Sequence, residues 1–179
     1  MNALILAIAA LAVLAAVVLV IAARRPDEFV VTRSARLLAP AGRIFPLISD
    51  LRAHEAWSTF DPPDPAVRKT HSGASHGTGA VYEWAGSGRA GAGRLAITGA
   101  EPASAIDMRL DMLRPIRASN QVRFTLQSDG DATVVTWHMA GRTPFVGKVM
   151  HLFFNMDRIV GREFESSLQR LGELAATDG

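Results

Sequence analysis

The last part of the chain carries an apolar stripe with the spacing of an α-helix. The stripe consists of Leu152, Met156, Val160, Phe164, Leu168, Leu171 and Ala175. Residues three or four positions apart lie on one side of a helix, so the stripe predicts one apolar helix face. The opposite face carries Asn155, Arg158, Arg162, Glu165, Gln169 and Glu173. With Thr143 as N-cap and Pro144 at the first helical position, we predict one helix from Pro144 to about Ala175. The rest of the chain must cover its apolar face.

The start of the chain is an unbroken run of Ala, Leu, Ile and Val from Ala3 to Ala23. A helix of this length, at about 1.5 Å per residue, spans roughly 30 Å, the thickness of a bilayer core. We therefore predict a transmembrane helix within residues 1–25, a short linker at residues 26–28 and a soluble domain over residues 29–179.

A cleaved signal peptide is the alternative interpretation of this run, because Val20-Ile21-Ala22 is similar to a cleavage site. The run is long for a signal-peptide core and no basic segment precedes it, which favours a retained membrane anchor. Arg24 and Arg25 follow the run directly, so the positive-inside rule predicts a single-pass protein with its soluble domain in the cytoplasm.

Composition limits the possible functions. The formal net charge of +2, from 19 basic and 17 acidic residues, gives little support for nucleic-acid binding. The chain has no cysteine, which excludes disulfides, a thiolate nucleophile and Cys-ligated zinc. The histidines are His54, His71, His76, His138 and His151. They lack metal-site spacing, and His71 and His76 are predicted in a Gly/Ser-rich loop. We predict no metal and no cofactor, and the sequence leaves the oligomeric state open.

The segment between the two terminal helices predicts a strand, two short helices and then a series of strands. Phe29 to Leu38 predicts the first strand, Pro40 begins one short helix, and another runs from about Asp50 to Trp57. Prolines within Phe60–Pro65 predict a loop. Further strands are predicted at Val81–Ala85, Arg94–Thr98, Ile106–Leu113, Gln121–Gln127 and Thr133–Ala140. This order predicts an α+β fold in which a curved antiparallel sheet wraps around the C-terminal helix.

Large apolar side chains alternate with polar ones along these strands. Met108 and Met112 alternate with Asp107 and Asp111, so one face of that strand is buried and the other solvated. If the sheet and the helix do not meet fully, a cavity remains, and methionine and aromatic side chains suit an adaptable apolar pocket. The predicted lining is Trp57, Tyr82, Trp84, Met108, Met112, Phe124, Trp137, Met139, Met156, Val160 and Phe164. The alternative is that these residues form an ordinary filled core.

Residues 28–175 resemble the START-related superfamily SRPBCC, in particular its polyketide cyclase/dehydrase and lipid-transport branch. The resemblance rests on Pro40–Asp50 leading to Trp57, on Gly77–Trp84, on Thr136–Met139 and on Met156–Leu168. It implies a helix-grip fold, in which a bent antiparallel sheet wraps the C-terminal helix and encloses a hydrophobic ligand cavity. It does not imply one activity, because relatives include lipid carriers, cyclases and hydrolase-like enzymes.

Two short motifs suggest a chemistry that their context does not support. Ser75 lies in a G-x-S-x-G motif, and Ser75, Asp107 and His138 follow the chain order of an α/β-hydrolase triad. However, Gly77 leads into a strand, whereas a nucleophile elbow leads into a helix. Gly86–Gly91 spells G-x-G-x-x-G but also precedes a strand, so no helix N-terminus is available for a pyrophosphate. We interpret this segment as a hairpin loop.

An enzyme with this cavity needs a titratable group inside it. Glu83, Asp107 and Asp111 alternate with predicted lining residues, so their carboxylates should point out of the cavity. The remaining candidates are the Tyr82 hydroxyl or, if the strand register is reversed, the His138 ring.

Three functions from different classes remain. The first, which we favour, is a membrane-anchored binder or carrier of a small hydrophobic or lipid-like ligand, driven by burial of apolar surface. The second is a cyclase- or dehydrase-like enzyme acting on an apolar substrate, which requires a cavity group with a perturbed pKa. The third is a membrane-tethered interaction module with a filled core and an exposed apolar patch.

Overall fold

The computed structural model describes residues 2–61, 64–87 and 91–177, which form five helices and seven strands. The helices are α1 (Asn2–Ala23), α2 (Ala41–Ser49), α3 (His54–Trp57), α4 (Phe145–Phe153) and α5 (Met156–Thr177). The strands are β1 (Glu28–Leu37), β2 (Arg68–Gly73), β3 (Ala80–Ala85), β4 (Ala92–Glu101), β5 (Ala105–Arg114), β6 (Ala118–Asp129) and β7 (Ala132–Arg142). The predicted α+β helix-grip fold is confirmed.

The strands form one antiparallel sheet in the order β1-β7-β6-β5-β4-β3-β2. Alternation within β6 shows why the sheet has one buried face, since Asn120, Val122 and Phe124 are buried and the residues between them are exposed. β4 shifts register at Ala92/Gly93 and again after Ile97. Such bulges bend a strand and increase its twist, and the curved sheet turns its buried face toward α5.

α5 packs across the sheet and against α2 and α3, with Phe164, Leu168 and Leu171 fully buried. Arg33 of β1 fixes the beginning of this helix, because its guanidinium donates hydrogen bonds to Asp157 (3.0 Å) and Glu165 (2.8 Å). Gly161 makes room for that guanidinium, since a Cβ at this position would lie 2.0 Å from the Arg33 Nη2 atom. Packing and ion pairing therefore hold the helix at one fixed position on the sheet.

The prediction of one helix from Pro144 to Ala175 is wrong, because the segment forms two helices, α4 and α5. Phe154 between them is extended, with φ −125° and ψ 131°. The Asn155 side chain accepts a hydrogen bond from the Arg158 backbone N–H (3.0 Å), which makes Asn155 the cap of a new helix. A side chain that binds the backbone in this way competes with continuation of the preceding helix.

The predicted start of that segment is also displaced by one residue. Pro144 occupies the N-cap position and makes no side-chain cap. Thr143, predicted as the N-cap, has a buried Oγ1 without a hydrogen-bond partner among the described residues. The N–H of Thr143 instead donates to the Asp27 carbonyl (2.7 Å). The pairing of β1 with β7 therefore continues for one residue beyond the two strands, up to the start of α4.

Strand β2 is absent from the sequence-based predictions, which place His71 in a loop. His71 lies on β2 and stacks on Tyr82, with ring centroids 4.9 Å apart, whereas His76 does lie in a loop. β2 is an edge strand, and an edge strand can form without the alternating apolar residues that identify a central one. The second short helix is also shorter than predicted, because it begins at His54 and not near Asp50.

α1 is long and apolar enough to cross a membrane, with a mean hydropathy of 3.3, and its side chains are exposed along most of its length. The last turns of α1 are less exposed than the rest of the helix, because Ala22 is fully buried and Val18 is partly buried. α1 contacts α4, and the Lys148 ammonium of α4 pairs with the Asp27 carboxylate just after α1. The end of α1 is thus joined to the folded domain through α4.

Candidate ligand cavity

A cavity of about 520 Å³ lies between the concave face of the sheet and α5. Its wall contains all eleven residues of the predicted lining: Trp57, Tyr82, Trp84, Met108, Met112, Phe124, Trp137, Met139, Met156, Val160 and Phe164. The wall also contains Phe29, Val31, His54, Ser58, Phe60, Asp61, Leu95, Leu110, Asn120 and Val122. Cavities of this size and apolar lining accommodate small organic molecules.

Burial of the wall residues changes along the strands. Val31, Met139, Val122 and Met108 face one another across β1, β7, β6 and β5, and all are buried. Two residues nearer the beginning of β1, the corresponding row holds Phe29, Leu110 and Leu95, which are only partly buried, together with the buried Asn120 and Tyr82. The last row of the wall, with Met112 and Trp84, is also partly exposed. The cavity therefore opens toward the end of the sheet at which β1 begins.

Aromatic rings form the closed part of the cavity. Trp137 stacks on Phe164 with ring centroids 4.0 Å apart and planes within 6° of parallel. Phe124 lies 4.7 Å from the same indole, and Trp57 meets it edge-on at 5.9 Å. Phe60, which is 53% exposed, packs edge-on against Trp137 and Phe164 from the loop after α3. These rings form a rigid apolar surface with a half-exposed ring at its edge.

A polar cluster interrupts this apolar wall beside Tyr82. The Tyr82 hydroxyl donates a hydrogen bond to the Asp61 carboxylate (2.6 Å), and the Lys69 ammonium lies 2.8 Å from the same oxygen. Glu55 lies 3.4 Å from the Lys69 ammonium. Burial, followed by the hydrogen bond to Asp61, raises the pKa of Tyr82. Tyr82 therefore remains a protonated hydroxyl whose proton is directed at a carboxylate.

The loop after α3 carries Asp61 into the wall because that loop is bonded to α5. The backbone N–H of Thr59 donates to the Ser167 hydroxyl (3.0 Å), and the two hydroxyls are also 3.0 Å apart. Asp61 is only 9% exposed. A buried carboxylate is costly unless it is paired, and Tyr82 and Lys69 supply its partners.

His54 is a second polar residue of the wall and is buried. Its Nε2–H donates to the Ile48 carbonyl (2.8 Å), and its ring lies 4.7 Å from that of Trp57. Burial, the largest effect, lowers the pKa of His54. His54 is consequently a neutral imidazole at neutral pH and is fixed in one tautomer by its backbone partner.

Two other wall residues hold polar atoms with unmet hydrogen-bonding capacity. Asn120 Oδ1 and Trp137 Nε1 are buried and lack a hydrogen-bond partner among the described residues. Gly141 explains how the Asn120 side chain fits, since a Cβ there would lie 2.1 Å from Asn120 Oδ1. Leaving such a group unpaired costs about 1–3 kcal/mol.

The three carboxylates expected to point out of the cavity do so, and a fourth, which that expectation did not cover, lies in its wall. Glu83, Asp107 and Asp111 lie outside the cavity wall and pair with Arg94, Arg123 and Arg109, respectively. Asp61 lies in the wall, and the sequence analysis missed it, because a proline-rich loop has no periodicity from which to infer side-chain direction. His138 faces away from the cavity, and its ring bonds to the Thr32 hydroxyl at 2.9 Å.

The two motifs set aside on sequence grounds do not assemble a site within the described residues. Ser75 bonds to its neighbour His76 at 3.1 Å, and Asp107 is paired with Arg123, so no triad forms with His138. Gly86 and Gly91 are joined by a backbone hydrogen bond of 2.8 Å, as expected for a hairpin loop, while residues 88–90 lie outside the described residues. The described part of the chain also has no group of three metal-binding side chains.

A bent antiparallel sheet closed by a C-terminal helix over an apolar cavity defines a helix-grip domain. The family model described as "Polyketide cyclase / dehydrase and lipid transport" matches residues 28–176, and the chain belongs to that family. No curated protein matches the sequence.

Solved structures show the same fold at low sequence identity. Protein MLL2253 from Mesorhizobium loti has a TM-score of 0.62 and 12% identity, covering 84% of this chain and 99% of that one. Protein CV1439 from Chromobacterium violaceum has a TM-score of 0.57 and 14% identity, with coverages of 84% and 98%. CalU16 from Micromonospora echinospora has a TM-score of 0.52 and 16% identity, with coverages of 85% and 87%. At these identities the likeness concerns the fold alone.

Proposed function

We propose that this protein binds or carries a small hydrophobic, lipid-like molecule in its cavity while α1 anchors it in a membrane. The observation that carries the proposal is a cavity of about 520 Å³ with a mainly aromatic, methionine and aliphatic wall. A ligand gains about 25 cal/mol for each Å² of apolar surface removed from water. An interaction module with a filled core would have no such space, so the cavity weighs against that alternative.

Membrane anchoring is supported by the exposure of α1 and by its contact with α4. A long apolar helix exposed over most of its length is unfavourable in water and favourable in a bilayer. The contact with α4 supports a retained helix over a cleaved signal peptide. Arg24 and Arg25 favour a cytoplasmic position for the domain. We retain the division into a span at residues 1–25, a linker at residues 26–28 and a domain at residues 29–179.

Native mass spectrometry of the full chain, released from mild detergent, tests ligand binding directly. We expect a bound species with the mass of a lipid or another apolar metabolite. A Leu110→Trp variant should lose it, because the larger side chain would enter the cavity from β5. Thr125→Trp adds the same ring to the exposed face of β6 and should keep the ligand.

Two outcomes would overturn the carrier proposal. The first is a wild-type protein that carries no apolar mass and binds no fluorescent fatty-acid probe in detergent. The second is equal loss of ligand in the Leu110→Trp and Thr125→Trp variants, because that result would place binding outside the cavity.

An enzyme acting on an apolar substrate is a second candidate function, favoured by the cluster of Tyr82, Asp61 and Lys69 in the wall. In an enzyme, the Asp61 carboxylate would take a proton from a bound substrate or orient it through Tyr82. Asp61→Asn distinguishes the two functions. If the protein is a carrier, the substitution changes the affinity for the ligand, and the ligand recovered from the variant has the same mass as that recovered from the wild-type protein. If the protein is an enzyme, the wild-type protein changes the mass of the bound molecule and the variant does not.

A further inference from the structure

The protein exposes six large apolar side chains close to the end of α1. α4 exposes Phe145, Val146 and Met150, and Phe154 is exposed directly after this helix. Leu113 near the end of β5 and Ile116 in the turn to β6 are also exposed. We call these six residues the apolar rim. Val146 and Met150 are spaced four residues apart, so they lie on one face of α4, and Phe154 follows that helix in an extended conformation. An exposed apolar patch of this kind requires a partner.

The two parts of the apolar rim lie side by side. A surface groove of about 410 Å³ is lined on one side by Arg117 and Ser119, after the β5–β6 turn, and on the other by Thr143 and Pro144, before α4. The rim also borders the open side of the cavity through Phe154, which closely precedes the wall residue Met156. Leu113 follows the wall residue Met112 on β5, so it lies on the opposite face of the sheet at the same end of the strand. The exposed apolar residues thus lie at the end of the sheet at which the cavity opens.

The contact between α1 and α4 fixes the depth of the rim relative to a membrane. Val18 and Ala22 are the most buried residues of α1, and they lie within its apolar run. A helix that packs against these last turns lies at the membrane–water interface when α1 spans the bilayer. α4 also exposes apolar side chains, among them Val146 and Met150, while its Lys148 is buried and directed to Asp27.

The charge distribution of the domain matches this placement. The end of the sheet that carries α1 and the rim also carries the exposed residues Arg24, Arg25, Arg114, Arg117 and Arg142. Carboxylates at this end include Asp27, which pairs with Lys148, Asp111, which pairs with Arg109, and Glu28. The opposite end of the sheet carries Glu101 and Asp129 at strand ends and Asp131 in a turn, with Arg36 paired to Asp129. Basic side chains beside an apolar surface favour an anionic lipid surface.

We propose that the apolar rim is inserted into an anionic bilayer beside α1, so that the cavity mouth opens onto lipid and not onto water. A ligand then passes from the bilayer into the cavity past Met112 and Met156 without crossing the aqueous phase. The inference rests on the proposed function for its ligand, but the insertion of the rim is a separate claim about position and can be tested separately.

Depth measurements test the insertion of the rim. The chain has no cysteine, so Val146→Cys, Ile116→Cys and Leu38→Cys each supply a single site for a nitroxide label. The full-length variants are placed in vesicles of phosphatidylcholine and phosphatidylglycerol. We expect labels at positions 146 and 116 to be accessible to oxygen and protected from a water-soluble relaxation agent. Leu38, which is 74% exposed at the far end of β1, should give the opposite result.

Loading kinetics test the consequence for ligand uptake. The double variant Phe145→Ser/Val146→Ser should load a fluorescent fatty acid from donor vesicles about tenfold more slowly, since two apolar side chains lose their lipid contact. Its affinity for the same probe in detergent should not change. The matched control, Leu38→Ser, should load at the wild-type rate.

The outcomes separate this inference from the proposed function. Labels at 146 and 116 that are as water-accessible as the label at 38 would overturn rim insertion, whatever the cavity binds. Unchanged loading by the double variant would overturn the uptake route. Absence of probe binding by every variant in detergent would instead overturn the ligand-binding proposal, while the label depths would still decide the position of the rim.

Discussion

Tyr82 is the one tyrosine in the sequence, so its ionisation can be followed by tyrosinate absorbance without interference. Burial and the hydrogen bond to Asp61 raise the pKa of Tyr82. We expect no tyrosinate absorbance from the native protein at the pH where an exposed tyrosine ionises. In the unfolded chain Tyr82 should ionise near its ordinary pKa of 10.0.

The sign of the pH effect on stability follows from that difference. Above pH 10 the unfolded state has lost the Tyr82 proton and the native state still holds it, so the free energy of unfolding falls as pH rises. Asp61→Asn removes one cause of the raised pKa and should bring tyrosinate absorbance of the native protein to lower pH. A titration curve unchanged by Asp61→Asn would contradict the Tyr82–Asp61 hydrogen bond.

Gly93 controls the position of Trp84 at the cavity mouth. A Cβ on Gly93 would lie 2.4 Å from two ring carbons of Trp84, so Gly93→Ala must displace the indole from its place over β4. We expect weaker binding of the fatty-acid probe, measured by fluorescence titration. Gly99→Ala on the same strand is the control, because its Cβ would meet only the Asp107 side chain, at 3.5 Å or more. Equal losses in both variants would mean that Trp84 does not shape the mouth.

Side-chain direction could be predicted where strand alternation determines it. Tyr82, Trp84, Met108 and Met112 lie on alternating strand positions, and the sequence placed them together in one lining. Asp61 could not be predicted, because its direction depends on the Thr59–Ser167 hydrogen bonds, which join residues far apart in the sequence. Loop residues that enter a cavity are therefore the ones that this kind of sequence analysis misses.

At the scale of elements, the division between α4 and α5 depends on Asn155. Asn155→Ala removes the side-chain acceptor for the Arg158 N–H and should lower the free energy of unfolding by about 0.5–2 kcal/mol. Chemical unfolding of the full chain in detergent measures the change. Asn155→Asp keeps a capping oxygen and should stay close to wild type. An Asn155→Ala protein as stable as the wild type would exclude the capping role.

The apolar stripe in the sequence gives no sign of the break between α4 and α5. Leu152 and Met156 keep helical spacing across the break, so the period of the stripe continues although the helix does not. The only local signal was Asn155 itself, a good N-cap residue followed by Asp157 in the first turn. Periodicity predicts which face is buried more reliably than it predicts where a helix is interrupted.

At the scale of the whole molecule, the cavity exists because the sheet and α5 diverge toward the end that carries α1. Leu168 and Leu171 fill the space where the two are close, whereas Met156, Val160 and Phe164 border the cavity. The same residue types would serve a filled core, so composition alone could not decide between a core and a cavity. The curvature of the sheet, which depends on its bulges and twist, decides it.

The proposed orientation of α1 in a membrane is a property of the whole molecule that depends on few residues. Arg24 and Arg25 directly follow α1, and basic residues next to a span hold their side in the cytoplasm. A C-terminal fluorescent reporter that matures only in the cytoplasm should therefore be active, and a C-terminal phosphatase that needs the exterior should be inactive.

Arg24→Glu/Arg25→Glu should give a mixed population of the two orientations, because Arg33 and Arg36 still lie near the span. The control, Arg109→Glu/Arg123→Glu on the exposed face of the sheet, should leave the reporter ratio unchanged, and an active phosphatase in the wild-type fusion would reverse the orientation.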